Sequence, residues 1–235
     1  MRRRWPGFLL IVAVLLLWEL ASAEKWIDPV SMPRVSIIAA SWIENIGGGA
    51  LLQSLGPTLW RIFVGFGLAT LVAVPVGLLM GSVPFVYRLL EPITEFVRPI
   101  PSSAYIPVAI LFLGIDNEMK IFVVFLACIF PILLNTYSGV RAIDPVQLDT
   151  ARTLGLSTMQ TLREVVLPAA SPNILTGMRI SLAISLILAI LAEMIVSNDG
   201  LGYFTLLAER TFKVPDMYAG IFTLALFGYV LNRLF

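Results

Sequence analysis

Long apolar stretches separated by short polar segments dominate this chain. Because a membrane-spanning helix needs about 20 apolar residues, the pattern predicts six spans, at Phe8–Ala23, Thr58–Met80, about Pro92–Leu113, Ile121–Tyr137, about Asn173–Val196 and about Tyr218–Phe235. The third stretch is rich in proline, which interrupts helices, so we expect that span to be broken. The expected fold class is an all-α polytopic membrane protein.

Composition supports this class and excludes several others. The chain is 58% hydrophobic and 13% charged, with a mean hydropathy of +0.91, whereas a soluble domain is about half apolar and a quarter charged. A net charge of +1, without a basic run carrying interleaved aromatics, argues for membrane lipid and against nucleic acid as a partner. The chain has no histidine and a single cysteine, Cys128, which excludes histidine metal sites, His-dependent triads and an internal disulfide.

The first span has two interpretations. Arg2–Arg4, the apolar run and Ala21–Ala23 together are similar to a cleavable signal peptide. Trp18 and Glu19, near the end of the run, favour a retained membrane anchor. Both interpretations place Glu24 and the residues after it outside the cytoplasm.

The basic residues favour a cytoplasmic N-terminus. With that orientation, ten of the 16 Lys and Arg residues fall on the cytoplasmic side, as the positive-inside rule expects. Six spans then place both termini in the cytoplasm. The polar segment between the fourth and fifth spans, at about residues 141–172, is also cytoplasmic.

The first part of this segment predicts a short helix. Asp144 suits the N-cap and Pro145 suits the first helical position. We expect the helix to run to Leu154, where Gly155 suits a left-handed C-terminal stop.

The second part predicts another short helix. Ser157 and Gln160 have the spacing of a capping box. We expect this helix to run to about Leu167, to be interrupted at Pro168, and to be followed by a new helix start at Ser171–Pro172. An amphipathic pair of helices suits a groove in another protein, but it also suits a position on the membrane interface. The residues alone leave both alternatives open.

The spacing within this segment resembles the cytoplasmic signature of bacterial ABC-importer permeases. That signature reads Glu-Ala-Ala, three residues, Gly, nine residues, Ile, one residue and Leu-Pro. The matching positions are Asp149, Thr150, Ala151, Gly155, Val165, Leu167 and Pro168. Asp replaces Glu, Thr replaces the first Ala and Val replaces Ile, while the spacing is kept throughout.

Further motifs resemble one branch of that family, the permeases for nitrate, sulfonates, taurine and bicarbonate. They are Trp18–Leu20, Arg98–Pro101 with Pro107, Leu113–Ile115, Leu167–Pro172, Thr176–Arg179, Ala192–Met194 and Gly200–Tyr203. Ser102–Tyr105 departs from the Pro-Leu-Ala-Trp-like run of the branch, which bears on the substrate. The chain also stops at Phe235, where relatives continue with a short basic tail.

The resemblance implies a type I ABC-importer permease fold in the bacterial inner membrane. It implies an N-terminal anchor and extracytoplasmic linker at residues 1–56 and a permease core at residues 57–235. The implied partners are a second permease copy, cytosolic ATPase subunits that bind ATP and Mg²⁺, and an extracytoplasmic solute-binding protein. This chain would be non-catalytic and hold no cofactor, because it lacks a Gly-x-x-x-x-Gly-Lys-Ser/Thr loop.

The resemblance also implies that the polar segment docks in a cleft of the ATPase and couples it to transport. The expected coupling residues are Asp149, Thr150, Ala151, Arg152, Leu154, Gly155, Leu156, Leu167 and Pro168. Gly155 would act as the hinge. Asp149 and Arg152 would face charged groups of the ATPase, and Leu154 and Leu156 would fill its groove.

The broken third span is the expected translocation pathway. Pro99 and Pro101 interrupt the helix, and a broken helix survives in a bilayer only when it is packed in protein or lines a cavity. Ser102, Ser103 and Tyr105 add hydroxyl groups there. A packing kink without a pathway is the alternative.

Several other residues carry structural expectations. Glu193 near the outer end of the fifth span is costly in a membrane, and a packing or gating contact, an interfacial position and a substrate contact are its three interpretations, in that order. Asp116 or Asn117 is expected to cap the fourth span. Gly65 and Gly67 are expected to permit close helix packing, and Tyr203–Phe212 is expected to form an outer interfacial helix.

Two other function classes compete with the importer permease. An ion-coupled secondary transporter would need paired intramembrane acids or an inverted repeat, and neither is visible. An intramembrane enzyme would need a histidine-dependent site or an acid pair. The function that the resemblance implies is a permease for a small anionic solute of the nitrate, sulfonate, taurine or bicarbonate class, and an ion-coupled secondary transporter is the alternative.

Overall fold

The computed structural model describes residues 5–234, which hold helices and no strand. The helices are α1 Trp5–Ala23, α2 Val35–Gly47, α3 Ala50–Ser82, α4 Pro84–Val97, α5 Ile106–Leu113, α6 Asn117–Arg141, α7 Pro145–Thr153, α8 Thr158–Gln160, α9 Leu167–Ile195, α10 Leu201–Arg210 and α11 Val214–Leu234. A 3₁₀ turn, Ser102–Tyr105, precedes α5, and a π-helical segment, Thr161–Val166, joins α8 to α9. Arg2–Arg4 and Phe235, which entered the orientation and the sixth-span predictions, lie outside the described residues.

The break in the third predicted stretch is confirmed, and the number of candidate spans is five, or six if that bent stretch is counted as one span. Five of the described helical stretches are long and apolar enough to cross a membrane, and a sixth is α4 with Ser102–Leu113, bent by 85°. Some bounds differ, since α3 begins at Ala50 and the broken span at Pro84. Helix α2 was not predicted at all, and its 13 residues are too few to span a bilayer.

Two compact units can be distinguished along the described chain. One comprises residues 5–57 and 198–227, and the other comprises residues 58–197 and 228–234. The second contains the polar segment, the broken span, most of α3 and all of α6 and α9. It therefore holds every residue predicted for coupling and for the pathway.

In the first unit, polar side chains attach α2 to α11. Asp216 accepts hydrogen bonds from the Ser41 hydroxyl at 2.6 Å and from the Asn45 amide at 3.0 Å. The Trp42 indole N–H donates to the Thr223 hydroxyl oxygen at 3.0 Å. These bonds give a short helix a fixed place that its length alone would not provide. Helix α10 ends at Arg210, so Phe212, the last residue of the predicted helix Tyr203–Phe212, lies beyond the observed one, with a positive φ of 56°.

In the second unit, α6 packs tightly against α9. The Ser181 hydroxyl donates to the Cys128 carbonyl at 2.9 Å, and the Cys128 thiol donates to the Ser181 carbonyl at 3.4 Å. A Cβ at Gly177 would lie 2.8 Å from the Pro131 carbonyl oxygen, so the two backbones nearly touch. Small residues at such crossings permit the close approach that drives helix association in membranes.

Glycines on α3 make the same approach to α6, and this yields a testable contrast. A Cβ at Gly77 would lie 2.7 Å from Thr136 Cβ and 2.9 Å from the Leu133 carbonyl oxygen, whereas a Cβ at Gly67 would meet nothing within 4 Å. Gly77→Ala should lower stability by about 1–3 kcal/mol through overpacking. Gly67→Ala, the matched control, should be neutral or raise it by up to about 1 kcal/mol through helix propensity. Thermal unfolding in detergent measures both, and equal effects would contradict the packing.

The two predicted packing glycines therefore behave differently. Gly65 does approach α6, since a Cβ there would lie 2.7 Å from the Val124 side chain. Gly67 faces open space, so its prediction as a packing residue was wrong. The reason is that a two-residue separation turns a helix by about 200°, which places the two positions on opposite faces.

The predicted interruption at Pro168 was also wrong. The helix continues from Thr158 to Ile195. The π-helical turn, in which the Leu167 N–H donates to the Leu162 carbonyl, widens the helix immediately before Pro168. Pro172 then lies inside α9 instead of starting it, and the Ser171 hydroxyl donates to the Pro168 carbonyl at 2.8 Å. That hydroxyl replaces the N–H that proline lacks.

Candidate functional site

The polar segment begins as its sequence predicts. The Asp144 side chain accepts the Val146 N–H at 2.9 Å, which caps the N-terminus of α7. At the other end Gly155 has φ +71°. The Gly155 N–H donates to the Arg152 carbonyl and the Leu156 N–H to the Ala151 carbonyl, both at 3.0 Å. This pair of bonds is a Schellman motif, which ends the helix and reverses the chain.

The second half of the segment also begins as predicted. The Gln160 N–H donates to Ser157 Oγ at 3.3 Å, and the Ser157 N–H donates to Gln160 Oε1 at 2.9 Å. This reciprocal capping box fixes the start of α8. The π-helical segment follows directly, and such segments are frequent at functional sites.

A small apolar core attaches the segment to the spans. Its buried members are Val140, Ile143, Val166, Ala170 and Ile174. They come from the end of α6, the linker to α7, the π-helical segment and the start of α9. The segment is therefore packed against the ends of two spans at once.

Between α7 and the start of α9 lies an apolar groove of about 570 Å³. The apolar residues along it include Val146, Ala151, Leu154, Leu156, Val165 and Pro168. Leu154 is 70% exposed, while Ala151 is only 2% exposed. Four predicted coupling residues on α7 and its C-terminal turn, Thr150 among them, thus share one surface with Pro168.

Charged side chains flank the groove on α7. Arg152 Nη1 lies 2.8 Å from Asp149 Oδ1, and both side chains are exposed. An exposed pair of this kind contributes little to stability, so either partner can re-pair with another protein. The predicted coupling residue Leu167 is also exposed, but it is not among the residues that line the groove.

The break in the third span holds the predicted pathway residues. Pro101 precedes the 3₁₀ turn, and its carbonyl accepts the Ala104 N–H at 2.8 Å. Ser102, Ser103 and Tyr105 are half-buried, whereas Pro99 and Pro101 are exposed. The turn packs against α6 and α9, so the structure brings these residues together at one bend.

Glu193 lies in a buried ion pair far along the chain from this bend. Its carboxylate is 0% exposed, and Oε1 lies 2.6 Å from Nη1 of Arg61, which is 1% exposed. The Thr58 hydroxyl reaches the same carboxylate at 2.9 Å, and Arg61 Nε donates to Asn117 Oδ1 at 2.8 Å. Glu193 is thus a packing contact and not an interfacial residue.

The predicted cap of the fourth span is not formed by a side chain. Asn117 contacts Arg61, and neither it nor Asp116 makes a side-chain cap bond.

Comparison with known proteins decides the family. The family described as "Binding-protein-dependent transport system inner membrane component" matches residues 73–235, more than half of the chain. The chain belongs to this family. It is the permease component of an ABC importer.

Curated relatives agree across nearly the whole permease. A putative ABC transporter permease of Methanocaldococcus jannaschii is 36% identical over 92% of this chain and 83% of the relative. The taurine transport system permease TauC of Escherichia coli is 31% identical over 94% and 82% of the two chains. The bicarbonate transport system permease CmpB of Synechocystis is 30% identical over 97% and 85%.

Solved structures confirm the type I importer fold of the permease. An inward-facing structure of the MetNI methionine ABC transporter matches with a TM-score of 0.69 at 20% identity, over 78% of this chain and 92% of that one. An amino acid ABC transporter matches with a TM-score of 0.63 at 17% identity, over 82% and 92%. At these identities the likeness concerns the fold alone.

Arg61 of the permease is the functional candidate that sequence reasoning missed. It lies within the predicted span Thr58–Met80, although it was not predicted as a site residue. A charged residue inside a span marks a protein-facing contact by default, so the signal was present.

Across residues 5–234 no group of three His, Cys, Asp or Glu side chains could hold a metal ion.

Proposed function

We propose that this permease imports a small anion and that its polar segment, residues 141–172, is the docking site of a cytosolic ATPase. The groove between α7 and the start of α9 carries the proposal, because it gathers Ala151, Leu154, Leu156 and Pro168 on one surface. An exposed leucine beside an apolar groove in a membrane protein's polar segment suits insertion into a partner's cleft.

In this proposal the energy comes from the partner. The ATPase subunits hold ATP and Mg²⁺, and this chain receives the movement through α7. Its motion reaches the spans through Val140 and Ile143 on one side and Val166 and Ala170 on the other, since all four belong to the core that anchors the segment. This chain provides the path and the coupling, and the ATPase provides hydrolysis.

The names of the relatives support the solute class. Those relatives are permeases for taurine, for aliphatic sulfonates and for bicarbonate, at 30–34% identity to this chain. All three solutes carry a compact oxyanion. We infer a solute of this class, delivered by an extracytoplasmic binding protein. The predicted pathway residues are Pro99, Pro101, Ser102, Ser103, Tyr105 and Glu193, of which Glu193 is the least suited, because it is buried against Arg61.

The assembly follows from the family resemblance. A second copy of this chain would complete the pathway, giving a homodimer with two ATPase subunits. The six spans and the bias of basic residues support a cytoplasmic N-terminus in the inner membrane. In that orientation the polar segment faces the compartment that holds ATP.

Reconstitution tests the proposal. The tagged chain should co-purify in detergent with an ATP-hydrolysing subunit. In proteoliposomes, uptake of taurine, an alkanesulfonate, nitrate or bicarbonate should require ATP and a solute-loaded binding protein, whereas choline, a cation, should not be taken up. Uptake that needs an ion gradient and proceeds without ATP would contradict the proposal and favour a secondary transporter.

A further inference from the structure

Two tyrosines and an arginine form a stack between α4 and α6 that the proposed function does not use. The rings of Tyr87 on α4 and Tyr137 on α6 lie 5.1 Å apart with an angle of 10° between their planes. Arg141 Cζ lies 5.4 Å from the Tyr87 ring centroid and 5.8 Å from that of Tyr137. We refer to these three residues as the Tyr–Arg stack.

One side of the stack continues into the polar segment. Arg141 is the last residue of α6, and Asp144, three residues later, caps α7. Val140 and Ile143, on either side of this junction, are both buried in the core that anchors the segment. A displacement of α7 is therefore transmitted to Arg141 through a linker of only three residues.

The other side of the stack lies on the broken span. Tyr87 is in the first turn of α4, and its hydroxyl donates a hydrogen bond to the Glu91 carboxylate one turn later. Helix α4 ends at Val97, just before the bend of 85°. The stack thus joins the end of α6, which leads into the polar segment, to the half-span that leads into the predicted pathway.

The contacts within the Tyr–Arg stack are better suited to orienting α4 relative to α6 than to stabilising the fold. Arg141 is exposed and the two rings are half-buried, and exposed cation–π contacts are among the weaker stabilising interactions. Parallel rings do, however, fix the direction in which two helices face each other. Both rings also pack against the main apolar core. Removal of Arg141 should therefore leave the fold intact and removal of the Tyr137 ring should cost some stability, while either change should release α4 from the motion of α6.

We infer that the Tyr–Arg stack transmits the movement of the polar segment to α4, with Tyr87, Tyr137 and Arg141 as positioning residues. The inference rests on the proposed function, because it concerns the same coupling. Couplings between distant sites typically change an affinity by about 5–150-fold. Taking the same order of magnitude, we expect the solute moved per ATP hydrolysed to fall by about tenfold.

Four single variants, reconstituted with the ATPase and the binding protein, test this. Tyr137→Leu and Arg141→Gln should lower the solute transported per ATP by about tenfold, while the amount of co-purified ATPase stays unchanged. Tyr137→Phe keeps the aromatic face and should retain normal coupling. Arg88→Gln, which removes the exposed arginine next to Tyr87, is the matched charge control and should also behave as wild type.

The outcomes separate the inference from its alternatives. If a variant loses ATPase activity and transport to the same extent and also unfolds at a lower temperature, the stack has only a structural role and the inference is overturned. The inference is also overturned if the solute transported per ATP hydrolysed stays within twofold of wild type in both Tyr137→Leu and Arg141→Gln. If Tyr137→Leu does not fold, the exposed Arg141 still provides the test. Failure of the wild type to bind an ATPase would instead refute the proposed function.

Discussion

Replacement of Glu193 by leucine is expected to destabilise the permease by about 3–5 kcal/mol. The substitution leaves the buried Arg61 guanidinium without the carboxylate that lies 2.6 Å from it. It also removes the acceptor of the Thr58 hydroxyl. A buried charge that loses its partner costs far more than the pair itself contributes, because desolvation of the remaining ion is no longer offset.

A double variant makes this prediction specific. Arg61→Met combined with Glu193→Leu removes both charges and should recover most of the lost stability, since apolar replacements of buried pairs are often neutral or stabilising. Glu209→Leu, at an exposed acid on α10, should change stability by less than about 0.5 kcal/mol.

The single cysteine provides the measurement. Cys128 is buried between α6 and α9, so a thiol-reactive fluorophore reports unfolding in detergent at one defined position. The single Glu193 variant should unfold at a clearly lower temperature than wild type and than the double variant. If the double variant is as unstable as the single one, the ion pair does not explain the effect.

Leu154→Glu is expected to weaken docking of the ATPase strongly while leaving the permease folded. Leu154 is 70% exposed at the edge of the groove, so a charge there disturbs little within the chain. In the proposed complex the same side chain is buried in the partner's cleft. Loss of such an anchor costs about 2 kcal/mol or more, which corresponds to roughly a 30-fold weaker complex.

Met159→Glu is the matched control for this variant. Met159 is an exposed apolar residue on α8, four residues beyond Gly155, and it is not among the residues that line the groove. Co-purification and ATP-driven uptake should fall in Leu154→Glu and persist in Met159→Glu, at equal unfolding temperatures. Equal ATPase recovery with both variants would place the docking surface elsewhere.

Local signals predicted the polar segment well. Asp144, Gly155 and the Ser157–Gln160 pair each act within six residues of chain, so the sequence contains everything that determines them. The prediction failed at Pro168 because the π-helical turn that accommodates it has no comparable signature. Ser171 was likewise read as a helix start, whereas its hydroxyl satisfies a carbonyl inside a continuous helix.

The candidate site was likewise predicted from the sequence only in part. The signature spacing identified Ala151, Val165 and Pro168, but their common surface exists only because α7 folds back against the start of α9. Helix α2 escaped prediction because Asp216 and Thr223, more than 160 residues later, hold it in place. Hydrophobic pattern alone gives no reason to expect a stable helix of that length.

From its sequence alone, this protein is a six-span membrane protein with a capped, hinged polar segment of the ABC-permease type. Hydropathy, capping residues and motif spacing determine these features because each depends on the nearby chain. Only the tertiary structure pairs Arg61 with Glu193, stacks Arg141 on Tyr87 and Tyr137, and forms the groove. Those contacts join residues from different helices. Their geometry depends on how closely the helices approach each other, and that distance is determined by side chains throughout the fold.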